Sequence, residues 1–180
     1  MAKLVLFNKP YQVLCQFTGE PGDKTLADYI DLPNIYPAGR LDKNSEGLLL
    51  LTDDGRLQHQ LSHPRFGKSK KYWVQVEGSP QDADLKPLRA GLDYQGIHYL
   101  PAQARLIDPP DLWPRQPPIR YRAEIPTQWL EITLREGKNH QIRKMTAAIN
   151  FPTLRLVRFQ IADWDLGDLP PGHYRVLNYN

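Results

Sequence analysis

The chain reads as α+β, a mixed and largely antiparallel sheet flanked by helices and loops, because strands and helices mix along it without strict βαβ alternation. Two segments anchor that reading. Residues 129–134 alternate apolar and polar side chains cleanly, as a half-buried strand does. Leu48-Leu49-Leu50-Leu51, closed by the turn signal Asp54-Gly55, reads as a short strand covered on both faces, since solvent on either face would demand polar residues in alternation.

The remaining elements follow in order. Residues 3–8 predict a first strand that ends before Pro10, and residues 24–30 a short helix with Thr25 as its cap. The buried strand covers residues 48–52 and a helix covers 56–61, with Asp53 and Asp54 as turn formers before Gly55. Residues 71–78 put Tyr72, Val74 and Val76 on one side and Trp73, Gln75 and Glu77 on the other, which is strand periodicity. Residues 80–90 predict an amphipathic helix opened by Ser79, with Leu85 and Leu88 inward. Gly137 breaks the strand at 129–134. A helix over 140–149 follows, its stripe made of Ile142, Met145, Ala148 and Ile149, and residues 154–161 make a late strand.

Composition bounds the function. At 180 residues, 41% hydrophobic and 24% charged, the chain fits one globular domain, expected to span 1–180. A lone cysteine, Cys15, excludes an internal disulfide and a cysteine-cluster metal site and fits a reducing cytoplasm. The apolar part of residues 1–8 is too short for a signal peptide or a membrane span. The formal charge is only +3, but it is segregated. Residues 65–72 hold Arg65, Lys68, Lys70 and Lys71 without an acid, and residues 135–158 hold Arg135, Lys138, Arg143, Lys144, Arg155 and Arg158 against Glu136 alone. Acids outnumber bases over 77–111. Segregated cations interleaved with Tyr72, Trp73 and His140 suit a polyphosphate ligand whose bases can stack.

Gly39-Arg40-Leu41-Asp42, just ahead of the leucine run, sets a carboxylate beside rigid framework with an arginine two residues before it. That arrangement suits chemistry on a bound group, and equally a polar loop in which Asp42 caps a turn and Arg40 lies on the surface. On these residues alone the loop is the commoner case. A second segment, residues 131–145, turns at Gly137 into a basic helix start. Its backbone amides, with Lys138 and His140, would seat a phosphate; a solvated helix end explains it as well.

Taken together the segments have a pattern. Asn8-Lys9-Pro10 with Val13, Gly39-Arg40-Leu41-Asp42 with Ser45, Gly47 and the leucine run, Lys70-Lys71-Tyr72 with Val74, residues 137–145 and residues 154–158 resemble the RsuA-type family of RNA pseudouridine synthases over nearly the whole chain. The loop Trp113-Pro114-Arg115-Gln116-Pro117-Pro118-Ile119-Arg120 is similar to a subtype acting on large-subunit ribosomal RNA. Many relatives carry a small RNA-binding domain ahead of the first strand, whereas this sequence starts almost directly at Lys3-Leu4-Val5. The grip on RNA is therefore expected from the catalytic domain or from ribosomal proteins nearby.

The resemblance implies the pseudouridine synthase catalytic fold and isomerisation of a uridine in ribosomal RNA, without cofactor or metal. It makes Asp42 the essential carboxylate, through attack on the sugar C1′ or removal of a sugar proton, and Arg143 the cation that keeps it ionised. Tyr72 is the aromatic against the uracil, and Arg40 the residue that fills the stack when the base leaves it. Lys9, Lys70, Lys138, His140 and Gln141 are assigned to phosphate and local geometry, and Leu156 packs near the target base or simply in the strand core. The expected partner is ribosomal RNA or an assembling subunit, met by a cytoplasmic monomer without a membrane. Small-subunit RNA or transfer RNA is the alternative substrate. A non-catalytic ribosome-associated RNA-binding module would explain the basic windows but not the placement of residues 39–42. A base-excising glycosylase would release free uracil. His59 and His63, four apart with no acid between them, read as surface or half-buried helix residues and not as a metal pair.

Overall fold

The leucine run forms a strand with no solvent-facing side: in a computed structural model, which describes residues 1–120, 122 and 124–180, the 7 residues of Glu46–Thr52 are all buried. The chain divides into two units, Met1–Lys68 with Arg158–Asn180, and Ser69–Val157. The first carries β1 (Ala2–Lys9), β2 (Val13–Leu14), β3 (Lys24–Thr25), β4 (Tyr36–Pro37), β5 (Glu46–Thr52) and α1 (Gly55–Ser62). The second carries β6 (Lys70–Glu77), α2 (Lys86–Ala90), β7 (Leu92–Tyr94), β8 (Ile97–Tyr99), β9 (Gln103–Ile107), β10 (Thr127–Leu134) and α3 (Gln141–Ala148). β11 (Thr153–Ile161) begins in the second unit and ends in the first, which closes with β12 (Trp164–Asp165) and β13 (Tyr174–Tyr179). The architecture is α+β, as expected.

In the first unit β1 is flanked on both sides by antiparallel partners, β13 and β5, and β4 adds antiparallel to β5. The short β2 and β3 pair in parallel. Strand periodicity sorts the apolar side chains. Val5 and Phe7 of β1 join Leu49 and Leu51 of β5 in a core completed by Leu26, Ile30, Ile35 and Leu41. Leu4, Leu6, Leu48 and Leu50, on the opposite face, are at most 4% exposed. Thr52 ends β5 by donating its hydroxyl to the Lys3 carbonyl at 2.6 Å, so that its polar group is satisfied where water is scarce.

In the second unit β10 lies between β6 and β9, antiparallel to both. Tyr72, Val74 and Val76 share a core with Leu130, Ile132 and Leu134, and with Leu85, Leu88, Ile142, Met145 and Leu156. The inward assignments of Leu85 and Leu88 from the sequence therefore hold.

Some elements differ from expectation. Residues 24–30 form β3 and one 3-10 turn, Leu26–Asp28, instead of a helix. The start signal is real, since the Thr25 hydroxyl accepts from Ala27 N and the Asp28 carboxylate from Thr25 N. Tyr29 N and Ile30 N still reach the Leu26 carbonyl, at 3.1 and 2.9 Å, but Tyr29 leaves helical geometry at φ −122 and the turn ends there. Residues 80–90 split into a 3-10 turn, Asp82–Leu85, and α2, with Gln81 at the cap position in place of Ser79. Asp54 caps α1, accepting from Arg56 N and Leu57 N, and α3 starts after His140, which adopts φ 51. β9, β13 and the β7–β8 hairpin had no counterpart in the sequence reading. Among the described residues no helix is long and apolar enough to cross a membrane.

Candidate active site

Residues 38–45 connect β4 to β5, and their backbone is fixed from several sides. Ala38 N donates to Leu50 O at 2.8 Å, Ser45 N to Asp42 O at 3.0 Å and Gln12 N to Lys43 O at 2.8 Å. Gly39, at φ +88, opens the turn in a conformation that disfavours a side chain. Leu41 is 5% exposed and plugs into the core of the unit. With Leu41 inward, Arg40 stands exposed and Asp42 half-buried on either side of it.

A buried arginine braces this turn. Arg158 of β11, 3% exposed, donates Nε to Leu48 O at 2.9 Å and Nη1 to Arg40 O at 3.2 Å. A planar guanidinium bonded to carbonyls of two segments fixes their spacing in a way an ammonium cannot. Gly47 allows the approach, since a Cβ there would run into the Arg158 carbonyl. The sequence places Arg158 in a basic window and in the family-like segment 154–158 but gives it no role of its own. The available signal was its place directly after the apolar pair Leu156-Val157.

Lys9 braces the same turn from β1. It has no exposed surface, and its Nζ donates to Pro10 O at 2.8 Å, Val13 O at 2.8 Å and Lys43 O at 3.3 Å. Against the expectation of a phosphate contact, its three donors are all engaged inside the protein. Burial lowers the pKa of Lys9 from 10.5 to about 8, although Cys15, Glu46 and Asp42 pull it upward; Arg158 adds to the lowering. Asp42 therefore lies within the field of a buried ammonium.

The second unit holds the other expected residues. Tyr72, on β6, is 9% exposed and Leu156, on β11, 6%; both belong to the cluster that contains Ile142 and Met145 of α3. Arg143 lies between those two on α3 and is half-buried. The turn ahead of α3 is organised by Glu136, whose carboxylate accepts from Leu100 N at 2.7 Å and Gln141 Nε2 at 2.8 Å and pairs with Lys138 Nζ at 3.1 Å. Burial alone would raise the pKa of Glu136, but these hydrogen bonds outweigh it and hold the carboxyl below its ordinary range.

That organisation bears on two of the expected residues, for which phosphate contact and local geometry were both open. Gln141 is 4% exposed, and its amide is consumed by Lys138 N, Glu136 and Met145, so it shapes the turn and has no open face for RNA. Lys138 reaches the His98 carbonyl at 2.6 Å besides Glu136, so a phosphate would have to draw it away from both. Lys138 N is likewise taken by Gln141, which leaves the proposed amide seat partly filled from within. His140 is exposed at the helix start, and the Lys70 ammonium lies beside Gly137. The structure thus gathers Arg40, Asp42 and Lys9 in one unit and Tyr72, Leu156, Arg143 and the 136–141 turn in the other. Among the described residues no group of three His, Cys, Asp or Glu could hold a metal ion.

Comparisons with known proteins agree on a family. A model described as RNA pseudouridylate synthase matches residues 3–148. The chain is 54% identical over 175 residues to the ribosomal large subunit pseudouridine synthase E of Vibrio parahaemolyticus, covering 97% of this chain and 74% of that protein. It is 54% identical over 171 residues to the protein of that name from Xanthomonas axonopodis pv. citri, covering 93% and 90%. A solved pseudouridylate synthase superposes with a TM-score of 0.82 at 26% identity, over 99% of this chain and 71% of the other.

Proposed function

The chain belongs to the RNA pseudouridylate synthase family, and from that premise we propose that it isomerises a specific uridine of large-subunit ribosomal RNA, with Asp42 as the essential carboxylate. The reaction balances within one nucleotide. The N1–C1′ bond breaks, the uracil turns while held, a C5–C1′ bond forms, C5 loses its proton and N1 gains one. Asp42 serves either by attacking C1′ or by taking a sugar proton, and both routes require it ionised. What supports the reading is the turn itself: a half-buried carboxylate on a backbone held by Arg158, Lys9 and Leu41 is preorganised for chemistry on a bound sugar.

Tyr72 takes the face of the uracil, Arg143 is the cation that the chemistry requires, and Leu156 borders the base. Arg40, exposed on the same turn as Asp42, fills the stack that the everted base leaves. Lys70 and His140 contact phosphate. Lys9, Gln141 and, through Glu136, Lys138 set local geometry. Residues 1–180 act as one catalytic domain, a monomer in the cytoplasm whose partner is ribosomal RNA or an assembling subunit.

The test is tritium release from C5-labelled uridine in ribosomal RNA transcripts or particles. Wild-type protein releases tritium and leaves pseudouridine at one mapped position of the large-subunit RNA. A target in small-subunit or transfer RNA would move the substrate assignment, and free uracil would overturn the isomerase mechanism.

A further inference from the structure

Beyond the catalytic turn, the first unit displays an aromatic surface that the reaction itself does not use. α1 ends at His63, whose amide donates to the His59 carbonyl at 2.9 Å. A 3-10 turn, Pro64–Phe66, folds the chain back at once, tightened by Phe66 N to His63 O, Gly67 N to Pro64 O, and Arg65 N to His63 Nδ1. Gly67, at φ +54, lets the backbone leave. The outcome is a cluster of three rings. His59 and His63 have centroids 4.7 Å apart, and Phe66 stands edge-on to them at 5.6 and 6.4 Å. Arg65 Cζ lies 4.8 Å from the Phe66 centroid.

All four of these side chains are exposed, Phe66 by 38%. Local hydrogen bonds order the rings, yet no core covers them. Their surroundings are cationic: residues 55–68 contain Arg56, Arg65 and Lys68 and no acid. The patch also adjoins the catalytic turn within the same unit. Gln58 of α1 donates Nε2 to the Pro37 carbonyl at 2.8 Å, and Ser62 is the side chain that a Cβ at Gly39 would meet.

We infer that the surface formed by His59, His63, Phe66 and Arg65 is a stacking platform for an unpaired base of the substrate RNA, next to the uridine presented to Asp42. Exposed rings in fixed positions offer a base face, while Arg65 and Lys68 offer charge to its phosphates. Charge complementarity selects a polyanion over an apolar partner. The inference rests on the RNA substrate proposed above.

Equilibrium binding of a large-subunit ribosomal RNA transcript to wild type, Phe66→Ala and the His59→Ala/His63→Ala double variant tests it. Stacking of one base predicts affinity lower by roughly tenfold in each variant and largely kept in Phe66→Tyr. The thermal midpoint of Phe66→Ala should stay near wild type, because its ring is exposed; His63 also accepts from Arg65 N, so the midpoint of the double variant is measured beside its affinity. Affinity equal to wild type in both alanine variants overturns the platform. Tritium release by the wild type, measured on the same transcript, reports separately on the isomerase reading, so the two can fail independently.

Discussion

A lysine with no exposed surface keeps its charge only at a cost, and Lys9 shows how the cost is met: three backbone carbonyls match the three donors of its ammonium. Its pKa of about 8 against 10.5 fixes the sign of a stability effect. Between those values the unfolded chain holds a proton that the folded chain has released, so stability rises with pH across that window. The rise amounts to about 3 kcal/mol in total, since each tenfold change in proton affinity is worth about 1.4 kcal/mol. Urea midpoints of wild type measured from pH 8 to 10.5 should therefore climb relative to those of Lys9→Met, which lacks the titration. Parallel curves would mean that Lys9 is not buried as described. Arg158→Met should orphan the Arg40 and Leu48 carbonyls, each worth roughly 1–3 kcal/mol, and loosen the turn beside Asp42. We expect its kcat to drop by roughly tenfold with RNA affinity retained, since Arg158 faces inward. An equal loss in Kd with normal kcat would make Arg158 a phosphate contact.

At the scale of elements, burial on both faces made some strands readable and its absence hid others. β5 and β10 announce themselves by four leucines and by clean alternation. β13 does not, because its six residues are mostly exposed and it is a strand only by pairing with β1, from the other end of the chain. The β7–β8 hairpin turns on Gln95 and Gly96, both at positive φ, a two-residue turn that Asn-Gly would have signalled and Gln-Gly does not. Gly47 shows what close pairing demands. Gly47→Ala combines φ +107 with a clash on Arg158, and should cost roughly 3 kcal/mol or more, seen as a depressed Tm or insoluble expression. Glu136 sets the acid response of the 136–141 turn. Its pKa is lowered in the fold, so the stability it contributes is present above the ordinary value of 4.5 and is lost as pH falls below it. The protection of the α3 amides against hydrogen exchange, relative to the intrinsic rate at each pH, should fall below pH 4.5 in wild type, and already be low at neutral pH in Glu136→Gln if the charge is what holds Lys138 and the turn.

For the whole molecule, the chemistry was legible where one short segment carries it and hidden where distant segments meet. Gly39, Leu41 and Asp42 lie together in sequence, so the turn could be singled out at once. The groups that hold it could not. Arg158 is 118 residues from Arg40, and only the folded first unit brings its guanidinium beneath the turn. For Lys9 and Gln141 the sequence left phosphate contact and local geometry open, and burial with donors already used inside the fold favours the second. The charge pattern was a better guide than the net charge, because a formal +3 conceals acid-free stretches around residues 55–72.

On the proposed mechanism Asp42 initiates the exchange of an N–C for a C–C glycosidic bond. Asp42→Asn nearly preserves shape while removing the anion, so its effect isolates the chemistry. Tritium release from C5-labelled ribosomal RNA should fall to background in Asp42→Asn, while the protein keeps its Tm and its affinity for the RNA. Release at the wild-type rate from that variant would contradict the account.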